Sequence, residues 1–474
     1  MIRRRRECKR PDASADVVVV GFGCAGACAA IEAAAEAEVL IVEGAPIGGG
    51  TSAAAHAILY LGGGTPIQQA CGFEDSPQDM FRYLMAACGP DPDPELIEPY
   101  CEYSVEHFHW LCEQGVPWKP SFFPGGHFPE SDDGLVFSGN ERVHPFRDLA
   151  APVPRGHVPR TRGPAGGLLM QKLTAAAIGA GARLQASERC EALVLEDDGR
   201  VVGVMLGSGS GERFVEARRG VVLSTGGFIW NDEMLRQYAP QLLRCQHRVG
   251  TPSDDGSGIR VGMAAGGATL GLDSGDVLLP LYPPAALKRG LLVDRHGQRF
   301  INEDAYHGRI GEFALDACDG DVWMIIDSSI DERPQNTPAP IAAVEDTIAD
   351  LESALGMPTG GLQSTLSAYN AAAQRGRDPL FEKAAEFVAP LVSPPYAALD
   401  LRMESAHYGA FTLGGLQIDA WGRVRASGGD PVPGLFAAGR AASGVAKRGY
   451  SSGLSLGDSS FFGRRAGRKA AASE

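Results

Sequence analysis

The run Asp16-Val17-Val18-Val19-Val20-Gly21-Phe22-Gly23-Cys24-Ala25-Gly26 decides the fold. Its unbroken valines have the character of a parallel strand buried on both faces. Gly21, Gly23 and Gly26 then form a G-x-G-x-x-G fingerprint. The segment Ala27–Ala37, dense in Ala and Glu, predicts a helix that begins inside the glycine loop. Val39-Leu40-Ile41-Val42 supplies a second strand, which ends on Glu43. Strand, loop, helix, strand and acid fit within about 30 residues, as a βαβ opening does. In such a unit the first glycine allows a tight turn, the second lets the backbone approach a pyrophosphate, and the third lets helix and strand pack closely. The phosphates sit on free N–H groups at the helix N-terminus. Gly21, Gly23, Ala25 and Gly26 are therefore expected against a dinucleotide, with Glu43 accepting hydrogen bonds from a ribose diol.

The residues beyond Glu43 narrow the cofactor. No arginine suited to a 2′-phosphate stands beside Glu43, which disfavours NADP. The next loop is again rich in glycine and hydroxyls, Gly48-Gly49-Gly50-Thr51-Ser52 and then Gly62-Gly63-Gly64-Thr65. Two later strand ends, Thr225-Gly226 and Ala438-Gly439, have the same style. A long, folded-in ligand explains three such approaches better than NAD does, so non-covalent FAD is expected, with Thr51, Ser52, Thr225, Gly226 and Gly439 among its contacts. The competing reading is that these glycines only pack strands and turns.

Composition sets limits on the rest. The 474 residues suggest two or three domains, and 44% hydrophobic with 21% charged residues is ordinary globular usage. The 62 glycines are about twice the usual ~7% and show no collagen-like period. A net charge of -15 argues against an electrostatic grip on nucleic acid. The basic cluster Arg3–Arg6 with Lys9 and Arg10 has two readings, a twin-arginine export signal or a frayed arm. The apolar run after it is short and leads into glycines, which favours the arm. Residues 1–14 are thus expected to be disordered and the protein cytoplasmic. No stretch approaches the ~20 apolar residues of a membrane span. The ten cysteines form no CxxC pair or zinc spacing, and no metal is expected. Cys24 and Cys28 on the fingerprint helix read as small packing residues. His107 and His109 lie two apart on a helix and face apart, which argues against a metal site.

The layout that results is α/β: a split Rossmann-like FAD-binding domain with an inserted α+β capping domain. Residues 15–270 form the first part, 271–394 the glycine-poor insert, and 395–474 the second part. Helices are expected near Leu168–Ile178, Ala342–Leu355, Leu362–Ala373 and Leu454–Ala471. Strands are expected at Glu191–Glu196, Val201–Leu206, Val221–Ser224, Leu291–Asp294 and Arg299–Ile301. Residues 116–165 read as an irregular excursion. Its Trp118, Phe122, Phe123 and Phe128 suit either a flat apolar ligand or ordinary packing, and packing is favoured.

The order of motifs resembles the fumarate reductase and succinate dehydrogenase flavoprotein superfamily. After the fingerprint come Gly49-Gly50-Thr51-Ser52, Ser224-Thr225-Gly226-Gly227, Asp254-Asp255-Gly256-x-Gly258, Arg299-Phe300-Ile301-Asn302-Glu303 and Thr412-Leu413-Gly414-Gly415-Leu416. This resemblance implies FAD held by a split domain with a cap between its halves, and it adds Asp255 to the cofactor contacts. Two positions depart from the fumarate reductase pattern. His307 stands where that pattern has a catalytic arginine, and Ala410 where it has a histidine. A dicarboxylate needs cationic clamps, and Arg309 and Arg402 are the possible substitutes. Gly439-Arg440-Ala441-Ala442-Ser443-Gly444, Gly449-Tyr450-Ser451-Ser452-Gly453-Leu454-Ser455-Leu456-Gly457-Asp458 and Tyr60-Leu61-Gly62-Gly63-Gly64-Thr65-Pro66 are similar to the 3-ketosteroid dehydrogenase branch, above all to 3-ketosteroid Δ4-(5α)-dehydrogenases. That resemblance implies Gly63, Arg440, Ser455 and Leu456 as cofactor contacts and Tyr306, Tyr450 and Ser452 as catalytic residues.

Such an enzyme introduces a C=C bond next to a ketone, passing a hydride to flavin N5 and a proton to a Tyr/Ser relay. The substrate implied is an apolar, steroid-like ketone, and the electron acceptor stays open. Tyr450 with the amide of Leu454 or a neighbour is the expected donor pair for the ketone oxygen. Ser452 is the expected proton acceptor, and simple N-capping of the last helix is its other reading. The rival functions are a fumarate-reductase-like reductase of an unsaturated carboxylate and a non-catalytic flavin electron relay.

Overall fold

The structure is a computed structural model, which describes residues 1–125, 131–208, 211–282 and 284–473. Its main sheet has nine strands. Five run parallel at its centre, in the order Arg183–Ala186, Val39–Glu43, Ala13–Val20, Gly211–Leu223 and Pro431–Ala437. Val17–Val20 pair with Val39–Val42 on one side and with Gly220–Leu223 on the other, and the valines are buried. The carboxyl ends of these strands therefore come together: Glu43, Gly21, Ser224 and Ala438. A crevice at that edge is where doubly wound sheets bind ligands.

One face of the sheet carries the fingerprint helix, Cys24–Ala34, against the last helix, Leu454–Ala471. The two backbones lie so close that a Cβ at Gly463 or Gly467 would overlap the carbonyl oxygens of Ala25 and Ala29. Glycine and alanine are used here because anything larger separates the helices, which accounts for part of the glycine excess.

Several expectations change. Residues 1–14 are not a loose arm: Ile2–Arg4 pair in parallel with Leu193–Leu195, and Ala13 already begins the first central strand. Exposed arginines hide this strand because its side chains bury nothing, and only its backbone is used. The stretch Ala342–Leu355 is not one helix. Ile341–Glu345 is an edge strand, and the helix starts only at Ile348, after Thr347 caps it by accepting from the Asp350 amide. Arg299–Ile301 makes a single bridge rather than a strand. The excursion 116–165 contains short strands, Phe122–Phe123, Leu135–Val136 and Gly156–His157, which join Leu59–Tyr60 in a four-stranded sheet.

A separate antiparallel sheet has the order Leu291–Asp294, Val322–Asp327, Tyr396–Asp400 and Ile341–Glu345. The expected boundary at 394 cuts it, since Tyr396–Asp400 pairs with two strands of the insert. Arg299 joins Glu303 and Asp378 inside this region, with Lys383 completing a buried ion cluster. The Arg-Phe-Ile-Asn-Glu motif thus locks the insert together. Helix His307–Asp316 leaves this region and packs on strand Gly275–Leu278. That contact brings residues 306 and 307 to the sheet's ligand edge.

Candidate active site

A cavity of about 660 Å³ runs from the fingerprint loop to helix His307–Asp316. At one end it is lined by Gly21, Gly23, Ala25, Glu43, Thr51, Ser52, Thr225, Gly226, Gly439 and Arg440, all expected from the sequence. Gly21 has φ +99, and a Cβ there would lie 2.5 Å from the Ser224 carbonyl oxygen. Gly23 caps the fingerprint helix with no side-chain bond of its own, Cys24 N donates to Ser52 Oγ at 3.2 Å, and Gly23, Cys24 and Ala25 line the cavity. Both Glu43 oxygens take backbone donors, Phe22 N at 2.7 Å and Ala45 N at 2.8 Å. These bonds aim the carboxylate and leave lone pairs for a diol.

Thr51 Oγ1 and Arg440 Nη2 each donate to Asp254 Oδ2 at 2.7 Å. Arg440 Nη1 and Thr225 Oγ1 are buried on the same wall without a partner of their own. An unpartnered guanidinium N–H, an unpartnered hydroxyl and a glycine-capped helix start on the cavity wall fit an anionic dinucleotide, whose oxygens would satisfy them. Three expected contacts do not reach the cavity. Gly26 lies beneath the loop, where a Cβ would overlap the Gly21 carbonyl oxygen. Gly63 donates to Asp75 Oδ2 at 2.9 Å, in a loop pinned by the buried Asp75–Arg155 pair. Asp255 pairs with Arg189 and is not itself in the lining, and its neighbour Asp254 lines the wall instead.

The other end brings together Tyr306, Tyr450 and Ser452. Tyr306 Oη lies 2.9 Å from Ser452 Oγ. A strap at 138–140 fixes both: Ser452 N donates to Ser138 O, and Tyr306 N donates to Asn140 Oδ1 at 2.8 Å. Asn140 N in turn donates to Tyr83 Oη, which shares a 2.7 Å bond with Ser451 Oγ. Neither serine caps the last helix, whose cap is Gly453 at φ +101, so the capping reading of Ser452 is replaced by its bond to Tyr306.

Tyr450 packs edge-on against Phe411, 5.3 Å between ring centroids. Its oxygen accepts the Ser455 N–H at 3.1 Å. The Leu454 amide, an expected partner of Tyr450, is spent on Ser451 O. With its oxygen already accepting, the Tyr450 O–H is polarised outward as a donor. Burial pushes both phenols up: Tyr306 well above its ordinary value, helped by Asp276 and Tyr450, and Tyr450 likewise, helped by Asp276. Both are neutral hydrogen-bonding groups at any ordinary pH. Ser455 and Leu456 line the cavity where the last helix begins.

The fate of the cations separates a carboxylate site from a neutral one. His307 is buried, and desolvation pushes it down to about 3, so it is an uncharged wall residue whose ring lies tilted against Tyr306, 4.3 Å between centroids. Arg309 lies over the rings of Phe146 and Phe313. Arg402 is forked onto Asp400. Among the described residues lining the cavity, the arginines are Arg189 and Arg440, each already paired with an aspartate and both with the fingerprint-end residues. The mouth is lined by Val249, Pro280, Gly409 and the edge-to-face pair His247–His407.

Asp254 and Asp276 are among the cavity residues that lie outside the sequence-based expectations. The Asp254-Asp255 pair carries a motif signal, but the cavity takes the first member rather than the second. Asp276 belongs to no motif. Trp118 packs on Phe108 and Phe122 on Phe73 and Phe137, these and the partly buried Phe123 lie outside the cavity lining, and Phe128 lies outside the described residues. His107 bonds Ser460 Oγ and receives Arg464, and among the described residues no group of three metal-ligating side chains occurs.

Comparison with known proteins agrees with this geometry. Residues 16–456 match the FAD binding domain family. The chain belongs to that family. It is 43% identical, with a TM-score of 0.94 and 99% of both chains covered, to the crystal structure of 3-ketosteroid-Δ4-(5α)-dehydrogenase from Rhodococcus jostii RHA1 in complex with 4-androstene-3,17-dione. It is 29% identical to the 3-oxo-5-alpha-steroid 4-dehydrogenase of Comamonas testosteroni, covering 90% of this chain and 92% of that protein. A cytochrome-type fumarate reductase of Shewanella frigidimarina is 27% identical over 97% of this chain and 78% of its own. The protein is thus an FAD-dependent oxidoreductase acting on carbon–carbon bonds, in the superfamily that also holds fumarate reductase. Among the described residues no helix is long and apolar enough to cross a membrane.

Proposed function

We propose that this flavoprotein is a 3-ketosteroid dehydrogenase that introduces a C=C bond next to the ketone of an apolar polycyclic substrate. One observation carries the reading: Tyr306, Tyr450 and Ser452 line one end of the cavity, and the candidate carboxylate clamps are neutral or turned to other partners. A carboxylate entering there would lose water without gaining a counter-charge. A ketone needs only directional donors. The segment 271–394, extended to Asp400, acts as the cap that delivers Tyr306.

Bound FAD supplies a two-electron acceptor for hydride. Gly21, Gly23, the first turn of the helix, Thr225 and Arg440 would hold its phosphates, and Glu43 its ribose. The Tyr450 hydroxyl donates to the ketone oxygen, and that bond strengthens as enolate charge grows. The acidified proton on the adjacent carbon passes to Ser452 Oγ, whose own proton moves to Tyr306 across their 2.9 Å bond. Aliphatic residues at the mouth, Val249, Leu278 and Pro280, hold the rest of the substrate.

The test is anaerobic bleaching of the purified yellow protein. A saturated 3-ketosteroid should reduce the flavin and succinate should not. Bleaching by succinate, with none by ketosteroids, returns the protein to the carboxylate class. Bleaching by neither makes it an electron relay.

A further inference from the structure

Hydroxyls cannot be the end of a proton path near neutral pH, because serine and tyrosine oxyanions are too basic to persist there. The Ser452–Tyr306 pair therefore requires a titratable group behind it. Asp276 lies in that position. It sits on strand Gly275–Leu278, is buried, lines the same cavity, and has its carboxyl group beside Tyr306, the two flanking Gly308. Its Oδ2 is buried without a hydrogen-bond partner.

The backbone is shaped for this meeting. Helix His307–Asp316 approaches the strand so closely that a Cβ at Gly308 would overlap both Asp276 Oδ1 and the Tyr306 ring, and one at Gly311 would overlap the Val277 carbonyl oxygen. The groups facing Asp276 are few. Tyr306 begins the helix, Glu312 lies further along it, and Tyr450 comes from the C-terminal loop. The residue opposite on the paired strand is Phe411. His307, beside Tyr306, is uncharged.

We propose that Asp276 is the positioning residue that holds the proton at the end of the relay. This rests on the dehydrogenase reading above. The proton leaving the carbon next to the ketone bonds to Ser452 Oγ, the serine proton moves to Tyr306 Oη, and the tyrosine proton moves to the Asp276 carboxylate. The neighbouring C–H bond breaks with its electron pair going to the flavin as hydride, and the C=C bond forms. One proton and one hydride have then left the substrate. Burial, with Glu312 nearby, raises Asp276 well above the ordinary carboxylate range, while the Tyr306 hydroxyl beside it opposes the rise. A carboxylate so raised holds a proton far better near neutrality than one at the ordinary value of about 3.9.

Two measurements test this. In the first, the substrate-free holoenzyme is titrated by infrared difference spectroscopy. A carboxyl C=O band should titrate well above the usual carboxylate range. It should vanish in Asp276→Asn and move to higher pH in Tyr306→Phe, where the hydroxyl favouring the charged form is gone. A titration unaltered in both variants overturns the proposal, and the Tyr306→Phe arm decides if Asp276→Asn fails to fold. In the second, flavin reduction by ketosteroid is followed by stopped flow across pH. The wild-type rate should rise with pH through the infrared midpoint. Asp276→Asn should be about 100-fold slower with a flat profile, its flavin content and steroid affinity staying within about threefold. A variant that keeps the wild-type rate and profile refutes the relay. A wild type reduced by no ketone refutes the substrate reading, and the infrared arm still decides Asp276.

Discussion

Asp458 offers a quantitative check on how the segment ahead of Tyr450 and Ser452 is anchored. It lies on the second turn of the last helix, is 7% exposed, and accepts the Val445 N–H at 2.6 Å, just ahead of the loop that carries Tyr450 and Ser452. Burial pushes its carboxyl from 3.8 up to about 7, with the Val445 bond opposing the shift. A carboxyl raised on folding means that the folded chain binds the proton more tightly than the unfolded one. Stability is therefore full below the unfolded value and falls as pH rises between 3.8 and about 7. At about 1.4 kcal/mol per pH unit, the loss levels off near roughly 4 kcal/mol above neutrality. Asp458→Asn keeps a carbonyl for Val445 and carries no charge. It should exceed wild type by only about 1 kcal/mol at pH 4.5 and by up to roughly 4 kcal/mol at pH 8, on the order of 5 °C in Tm for a chain of this size. Thermal melts of both proteins at equal FAD saturation, from pH 4.5 to 8, provide the comparison, since FAD adds its own stabilisation by mass action. A Tm difference that stays constant across pH, or a variant less stable than wild type at pH 8, refutes the reasoning. The carboxylate would then be charged in the fold and worth its charge to Val445.

Three other substitutions probe the site. Tyr450→Phe removes the hydroxyl donor and leaves the Ser455 N–H without its acceptor. Flavin reduction by ketosteroid should slow by about 10²–10³, while the flavin-to-protein ratio stays at the wild-type value, and equal reduction rates would remove Tyr450 from its role. Gly26→Ala drives a methyl into the Gly21 carbonyl oxygen and to 2.7 Å from Ser224 Oγ. It should cost about 1–3 kcal/mol or more and release FAD on gel filtration, whereas Gly179→Ala, with nothing within 4 Å, should retain it. Asp75→Ala strands the buried Arg155. A loss of about 3–5 kcal/mol is expected, read as a lowered denaturation midpoint.

The FAD end of the site is legible in the sequence because its logic is local. Strand, glycine loop, helix and Glu43 are consecutive, and each has a residue type that only a few conformations accept. The end with Tyr306, Tyr450 and Ser452 is legible only through resemblance. Tyr306 and Ser452 meet because a helix of the insert docks on strand Gly275–Leu278, a contact with no local signature. Asp276 is silent for the same reason: in Ser274-Gly275-Asp276-Val277 it looks like any acid near a turn. The edge strands Ile2–Arg4 and Ile341–Glu345 escape a pattern-based reading because they contribute backbone pairing more than buried side chains, so neither shows period-two alternation.

The relation to fumarate reductase becomes a matter of where charge is placed on a shared scaffold. A dicarboxylate brings charge into the site and must find cations already there. A ketone brings none and develops partial charge only as its neighbouring proton leaves. A fixed cation beside a neutral ketone would face the desolvation cost of burial with no anion to offset it. This chain resolves the conflict at three positions. His307 is neutral because burial holds it down at about 3, Arg309 spends its charge over Phe146 and Phe313, and Arg402 is closed onto Asp400. A polarised phenol at Tyr450 and a hydroxyl pair at Ser452 and Tyr306 remain. On the proposed dehydrogenase reading these groups would stabilise charge as it appears and bind little before it does, which is the differential binding that catalysis requires. A single change back, His307→Arg, should not restore carboxylate turnover. The incoming guanidinium would enter a wall built for a neutral ring, beside the partnerless Asp276 Oδ2, and would pair with that carboxylate before it met a substrate. The measurable result is loss of ketosteroid reduction with no gain for fumarate, and a variant that reduces fumarate would show that charge alone, without the rest of the clamp, separates the two branches.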